Sequence, residues 1–427
     1  MKILITGANG FIGRHLLQAL RDKGHVVVAG VHSKLPRNPN LNGSVMYVDF
    51  ISDTSTQIWR QRLHGFDVVI NTVGIIGEHG RRTFELLHTR SPISLFRACQ
   101  QTGIKRVIQV SALGAAADAS SRYHRSKWLA DDYLSHLSLD WVILRPSIVY
   151  GPGAKSMMFF KALSALPFIP LIGDGRQSLQ PIHIKDLCDV VVQAVDSTHL
   201  SRHCLDIVGP EALEYVSLMN LLRKWLGLKD ARFINIPEWL ALRLAGALNL
   251  NRQLPLSAET VGMLIEGNTG DVSDTRAILG KMPAQLETWL RDSPSETSDH
   301  WFSKLFFTRF LLRISIGFVW IHTGLISMFA VPQTMSFDLL GRVGIPSHTA
   351  PYFLYGSSFV DVALGLCTVL AYRIEWIGWA QIIMILGYTA IISAFLPDYW
   401  NHPFGPISKN LPLIVSTYVM MIMEERS

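Results

Sequence analysis

Tyr123 and Lys127, in the string YHRSK, stand four residues apart, a spacing that puts a phenol and an ammonium on one face of a helix. A free phenol titrates near ~10 and is a poor acid–base group at neutrality. A nearby ammonium favours the phenolate and brings proton exchange within range. Ser111 ends the apolar strand before that helix, where its hydroxyl could donate a hydrogen bond to a substrate oxygen gaining charge. In a chain with 11 tyrosines such a string also arises by accident. Its weight comes from its place, just after a strand and at a helix start. The bland alternative is a packing tyrosine, a solvated lysine and a serine in a turn.

The first thirteen residues, MKILITGANGFIG, describe a second kind of chemistry. A short apolar strand, Lys2–Thr6, delivers Gly7, Gly10 and Gly13 to the start of an amphipathic helix, Gly13–Lys23. Glycines at these points let the backbone turn tightly, approach a pyrophosphate and pack the helix onto a sheet, with phosphates on unpaired helix N–H groups. Because this begins at residue 3, no cleavable signal peptide is expected ahead of it. An acidic residue ending the second strand would select NAD. That strand instead runs into His32, Ser33 and Lys34, with Arg37 beyond, and Arg14 follows the last loop glycine. These groups suit a 2′-phosphate, so NADP(H) is favoured over NAD.

The elements that must position these groups alternate. Val26–Val31, Val45–Asp49, Val68–Asn71, Arg106–Ser111 and Trp141–Arg145 read as strands, with helical patterns such as Pro92–Thr102 and Tyr123–Leu137 between them. The expected fold is α/β, a doubly wound parallel Rossmann sheet with a small substrate lobe at 155–290. Glu238–Leu248 reads as a short apolar helix that packs in the lobe or lies on a membrane surface. Asp186 suits a helix N-cap.

Beyond about residue 305 the solvent changes. The chain has 427 residues, 49% of them apolar and only 17% charged. The shortfall in charge is concentrated in Ile314–Val331, Pro351–Tyr372, Trp376–Leu396 and the shorter Leu411–Met423. These read as an all-α, four-helix transmembrane domain. The expected domains are 1–290, a polar linker at 291–304 (RDSPSETSDH at its start) and 305–427. Lys304, Arg309, Arg313, Arg373 and Arg426 outnumber Arg342 and Lys409 on the opposite side, placing the first domain and the C-terminus in the cytoplasm. The net charge of +6 suits anionic lipid; no basic block interleaved with aromatics suggests nucleic acid. Cys99, Cys188, Cys204 and Cys367 are scattered, suggesting neither disulfides nor a metal site. His322 and Asp361 fall inside proposed spans and are expected to face the bundle interior, as a proton relay, a contact for a quinone-like head group or a His–Asp structural pair.

Together TGANGFIG, Asp49, the NTVG at Asn71–Gly74, Ser111 and YHRSK resemble a short-chain dehydrogenase/reductase. LRPSIVYGPG and PIHIKDL are similar to its extended and atypical branches, the NAD-dependent epimerases and dehydratases. VINTVGIIGE and SALGA resemble the atypical group that includes the nucleotide-binding accessory subunit of respiratory complex I. The resemblance implies that Gly7, Gly10, Phe11, Ile12 and Gly13 line the pyrophosphate, Asp49 and Phe50 the adenine, and Val73 and Gly74 the ribose side. It further implies a catalytic pair Tyr123 and Lys127, with Pro146 and Ile148 near the nicotinamide. The loop from Ser111 to Tyr123 is shorter than such enzymes usually keep. WIHTGLIS, FVDVALGL and LPDYWNHPFGPISKNLP resemble the DoxX-like membrane family, whose relatives accompany quinone-linked redox enzymes. The expected function is a membrane-anchored, NADP(H)-dependent oxidoreductase of the cytoplasmic membrane, acting on an apolar carbonyl or quinone-like substrate. The alternatives are an NADP(H)-holding assembly or redox-sensing protein with a respiratory membrane partner, and a nucleotide-sugar epimerase or dehydratase.

Overall fold

The computed structural model describes residues 1–32, 44–248 and 256–424, which form two units, Met1–Ser303 and Lys304–Ser427. Ser33, Lys34 and Arg37 lie outside the described residues.

The first unit is built on seven parallel strands: β1 (Lys2–Thr6), β2 (Val26–Val31), β3 (Val45–Tyr47), β4 (Val68–Asn71), β5 (Arg106–Val110), β6 (Asp140–Pro146) and β7 (His203–Ile207). Their order is β7-β6-β5-β4-β1-β2-β3, so the winding reverses between β1 and β4, and a crevice opens at their carboxyl ends. The strands read as unbroken apolar runs because both faces are covered. Ile3 and Ile5 join Ile70, Val142 and Leu187 in one core; Leu4, between them, joins Val28, Trp59, Phe96 and Ile143 in the other. The first core carries α1 (Phe11–Asp22) and the helix Ile184–Asp196. The second carries α2 (Thr56–Arg62), α3 (Ser91–Thr102) and α4 (Arg122–Ser135). A π-helical turn, Glu85–Arg90, runs straight into α3.

Three short strand pairs, Val149–Tyr150 with Ile182–His183, Phe168–Ile172 with Arg232–Ile236, and Ser178–Leu179 with Leu213–Glu214, lie apart from the main sheet. Within the 155–290 span, Ile184–Asp196 and β7 belong to the main layers instead. Glu238–Leu248 is a helix packed in the lobe through Ala241 and Ala245 against Val261, with Trp239 exposed. The N-cap of Ile184–Asp196 is His183, whose ring accepts the Lys185 N–H. Asp186 sits inside the first turn and accepts the Ala284 N–H at 2.8 Å, which corrects the expected cap. The expected 291–304 linker is also shorter than its polarity suggests. Helix resumes at Thr297 and runs to Leu325, its first turn closed by Asp299 taking the Glu296 N–H.

Among the described residues, three helices are long and apolar enough to cross a membrane: Thr297–Ala330, Ala350–Val369 and Ile374–Phe395. The fourth apolar helix, Asn410–Glu424, has only 15 residues. Large apolar side chains such as Phe318, Trp376 and Ile383 face outward, as in a protein dissolved in lipid. Gly317 and Gly365 let the first and second of these helices approach closely: a Cβ on either would lie within 3.0 Å of the other's carbonyl. Arg313 and Glu424, both buried, form an ion pair at 3.0 Å. His322 does not face the interior: it is exposed and stacks on Phe318, while Asp361 is buried, so the expected pairing fails. The helical period puts the two on differently facing stripes.

Candidate active site

The turn between β1 and α1 is a cradle that only small residues can form. Gly7 has φ +77°, and a Cβ on Gly13 would lie 2.3 Å from the Gly7 carbonyl oxygen. Gly10 caps α1 without any side-chain bond, so Phe11, Ile12 and Gly13 begin the helix with N–H groups presented to the crevice. Across the reversal point, Val73 and Gly74 follow β4. Pro146 ends β6, and the Ile148 N–H donates to Asn268 Oδ1 at 2.8 Å.

The other nucleotide candidates are less free. Arg14 donates to the Pro152 carbonyl at 3.1 Å and lies against Gly153. Arg82 lies 3.1 Å from the His32 ring nitrogen, adding a cation at the end of β2. Asp49 turns its carboxylate onto its own loop, accepting from the Ile51 N–H and the Ser52 hydroxyl. Phe50 is buried against Trp59.

Tyr123 and Lys127 lie on the first two turns of α4, started by Ser121, whose hydroxyl accepts the His124 N–H. Glu259 fixes this end from the lobe by accepting the Tyr123 N–H at 2.7 Å. Lys127 is 3% exposed and donates to the carbonyls of Val73 (3.2 Å) and Val110 (3.3 Å). Burial brings its ammonium down to about 8, against the pull of Asp131. The Tyr123 phenol is not lowered. Burial first, and the charge of Asp131 second, push it up to about 12. The phenolate expected from the i,i+4 spacing is therefore not the resting form. At neutral pH the Tyr123 phenol holds its proton.

Two residues that the spacing argument passed over complete the cluster. Asp131, one turn beyond Lys127, accepts the Ser111 hydroxyl at 2.5 Å and lies 3.7 Å from Arg145 Nε. Burial raises its carboxyl to about 6, opposed by that hydroxyl, Lys127 and Arg145. The Ser111 hydrogen is thus engaged with Asp131 rather than presented to a substrate. His88, 1% exposed on the π-helical turn, accepts the Ile75 N–H at 3.0 Å on Nε2. Its Nδ1 must then carry the proton and donate to Ser126 (2.9 Å), which donates to the Tyr123 carbonyl (2.7 Å). Burial and the Lys127 charge hold the ring well below its ordinary value, so it is neutral. Below the site a polar rung crosses three strands in register: Thr6 donates to Asn71, which donates to Gln109. The extended i, i+4, i+8 series Tyr123–Lys127–Asp131 could have revealed Asp131; nothing in the local sequence marks His88.

A parallel Rossmann sheet with a glycine cradle at its reversal point and a Tyr/Lys pair on the following helix defines a nucleotide-binding domain of dehydrogenase or epimerase type. Residues 3–204 match the NAD dependent epimerase/dehydratase family, and residues 317–418 match the DoxX-like family. The chain thus joins an epimerase/dehydratase-like domain with an NAD(P)-binding Rossmann fold to a DoxX-like domain. Among curated relatives, NADH dehydrogenase (ubiquinone) 1 alpha subcomplex subunit 9 of Arabidopsis thaliana is 28% identical over 260 residues, 56% of this chain and 61% of that protein. The chain therefore spans about three-fifths of that relative's length. Ceramide reductase of Caulobacter vibrioides is 27% identical over 241 residues, 55% of this chain and 74% of that protein. In fold, the chain is similar to an NADPH-dependent quinone oxidoreductase from Escherichia coli solved with NADPH. The TM-score is 0.54, at 17% identity, covering 68% of this chain and 99% of that one.

Proposed function

We propose that the chain is a membrane-held, NADP(H)-dependent oxidoreductase that reduces an apolar carbonyl or quinone-like substrate. The observation that carries this reading is a protonated phenol and a buried ammonium on one face of α4 at the carboxyl edge of the sheet. Gly7, Gly10, Phe11, Ile12 and Gly13 would hold the pyrophosphate, because the uncapped helix start and the crowding around Gly13 fit a close-lying anion. His32 beside Arg82 supports a 2′-phosphate. A bound nicotinamide supplies hydride chemistry. Tyr123 gives its proton to the substrate oxygen, and Lys127 lends positive charge to the phenolate left behind. Asp131, Ser111 and Arg145 position Lys127; Pro146 and Ile148 wall the nicotinamide side. Asp49 and Phe50 would lie on the adenine side, and Val73 and Gly74 on the ribose side.

The Caulobacter relative, named for a reductase acting on a lipid, supports an apolar substrate, and a membrane tether raises the concentration of such a substrate near the site. The Arg313–Glu424 pair brings the start of the first span and the end of Asn410–Glu424 together. This supports four passes, and the excess of Lys304, Arg309, Arg313, Arg373 and Arg426 supports a cytoplasmic C-terminus and nucleotide-binding domain. The test is NADPH oxidation by the detergent-purified chain over long-chain ketones and quinones. Tyr123→Phe is expected to abolish turnover and to leave NADPH affinity within about threefold; unchanged turnover would overturn the mechanism.

A second reading, an NADP(H)-holding assembly or redox-sensing protein with a respiratory partner, draws on the Arabidopsis relative and on the engaged Ser111 hydroxyl. It expects slow nucleotide release and no acceptor. The epimerase/dehydratase match favours a third, which expects tightly held NAD and affinity for a nucleotide sugar.

A further inference from the structure

The helix Ala350–Val369 buries one stripe that includes Ser358, Asp361 and Thr368. Hydroxyls in an apolar bundle ordinarily bond back to their own helix. Thr368, Thr389 and Thr417 do so, each donating to the carbonyl four residues earlier. Thr368 also accepts from Gln381 at 2.8 Å. Ser358 and Asp361 do neither. Ser358 is 1% exposed and Asp361 7%, yet Ser358 Oγ and Asp361 Oδ1 have no partner among the described residues, not even each other. The facing helix adds a third such group, the buried Trp320 indole N–H, one turn before Gly324 on the same face. Gly324 is where the helices touch: a Cβ there would lie 2.6 Å from the Ser358 carbonyl and 3.1 Å from the Asp361 Cβ.

In hydrocarbon each unsatisfied polar group costs several kcal/mol, and no bulk water offsets it. Three on facing surfaces of one contact imply a third party. We propose that this interior takes the oxygen-bearing head of a lipid-soluble ketone or alcohol. Ser358 and Trp320 donate to that oxygen, and the Asp361 carboxyl supplies a further bond in either direction. Trp320 packs with Ile316, Leu364, Ile385 and Met420, so its surroundings are apolar. Asp361 makes no ion pair among the described residues, so nothing there recommends a charged solute. This extends the substrate reading above, but its test uses no nucleotide, so the two fail separately.

The experiment is photo-cross-linking of the full chain in lipid nanodiscs with a long-chain ketone carrying an alkyl diazirine, read by peptide mass spectrometry. Adducts are expected within Ala350–Val369 or on the facing helix near Trp320. An unlabelled ketone or alcohol of equal length should displace them at least ~10-fold better than the matching alkane. Asp361→Leu and Ser358→Ala should each reduce labelling by about 10-fold, the effect of one buried hydrogen bond to a polar head. Asp361→Asn, which keeps both bonding directions, should stay within about threefold, and size exclusion reports whether each variant is folded. Displacement by the alkane as efficient as by the ketone, or labelling indifferent to Asp361→Leu in a folded protein, would overturn the proposal and assign the gap to a bound water. Loss of labelling in Asp361→Asn equal to that in Asp361→Leu would also overturn it, because the site would then require charge rather than a hydrogen bond.

Discussion

Asp131→Asn separates a tuned site from an incidental cluster. Lys127 must be protonated to stabilise a phenolate, and burial has brought its ammonium down to about 8, with Asp131 the one group pulling it back up. Turnover should therefore fall as pH rises through about 8. Two unit charges ~6 Å apart, the separation of i,i+4 helix neighbours, interact by about 3 kcal/mol at an effective dielectric of ~20. At ~1.4 kcal/mol per pH unit that is an upper bound of about two units. Asparagine keeps the shape and can still accept the Ser111 hydrogen, but carries no charge. The alkaline limb of kcat/KM should then move down by one to two units, so that at about pH 7.5 the variant loses most of its activity and regains it near about pH 6. The assay is initial-rate NADPH oxidation in detergent over pH 5.5–9.5 (about that range), with nucleotide affinity measured alongside. The wild-type Asp131 carboxyl, raised to about 6, is charged across the limb, so the comparison holds there. A limb that stays put or moves up would refute the idea that Asp131 sets the charge on Lys127.

Other outcomes follow from single contacts. Gly13→Ala should weaken NADP(H) binding at least ~10-fold and cost about 1–3 kcal/mol of stability, since the new methyl meets backbone that cannot move aside; calorimetry and thermal melting check both. His88→Gln should cost about 2 kcal/mol at about pH 7.5 through its two buried bonds. Because the folded-state value of His88 lies well below 6.5, its stabilising contribution is complete above that pH and is lost as pH falls; the melting gap between wild type and variant should narrow by about pH 5. Arg313→Leu should destabilise the membrane unit by about 3–5 kcal/mol by breaking a buried ion pair, whereas the double change Arg313→Leu/Glu424→Leu should recover most of it in a detergent melt.

Much of the scaffold was legible because the signals were local. β1, β2 and β4 occupy the expected residues, since a buried parallel strand is an unbroken apolar run with glycine or asparagine at its end. Gly7, Gly10 and Gly13 were readable because only glycine tolerates the crowding of that turn. β7 was not, because HCLDI carries the polar His203 and Asp206 among its five residues and is recruited by pairing with β6. In the cluster, Tyr123 and Lys127 could be read from spacing, but the direction in which Tyr123 is shifted could not. That depends on how deeply the surrounding elements bury the phenol, and second on the charge of Asp131. His88 was invisible for the same reason: its partners Ile75 and Ser126 lie on other elements. In the membrane, His322 and Asp361 were equally conspicuous in sequence, and only helical phase distinguished the exposed group from the buried one.

The central claim is that this chain passes hydride from a nicotinamide to an apolar acceptor while embedded in lipid. Its most direct measurement is isotope transfer by the full chain in liposomes, supplied with NADPH deuterated at the reactive carbon of the nicotinamide and with long-chain ketones, and followed by mass spectrometry of the extracted lipid. The account predicts deuterium on the carbinol carbon of an alcohol product, present with the wild type and absent with Tyr123→Phe. Tight nucleotide binding with no deuterium in any product and no NADPH consumed with ketones or quinones would contradict it, and would leave the nucleotide a structural element of an assembly protein.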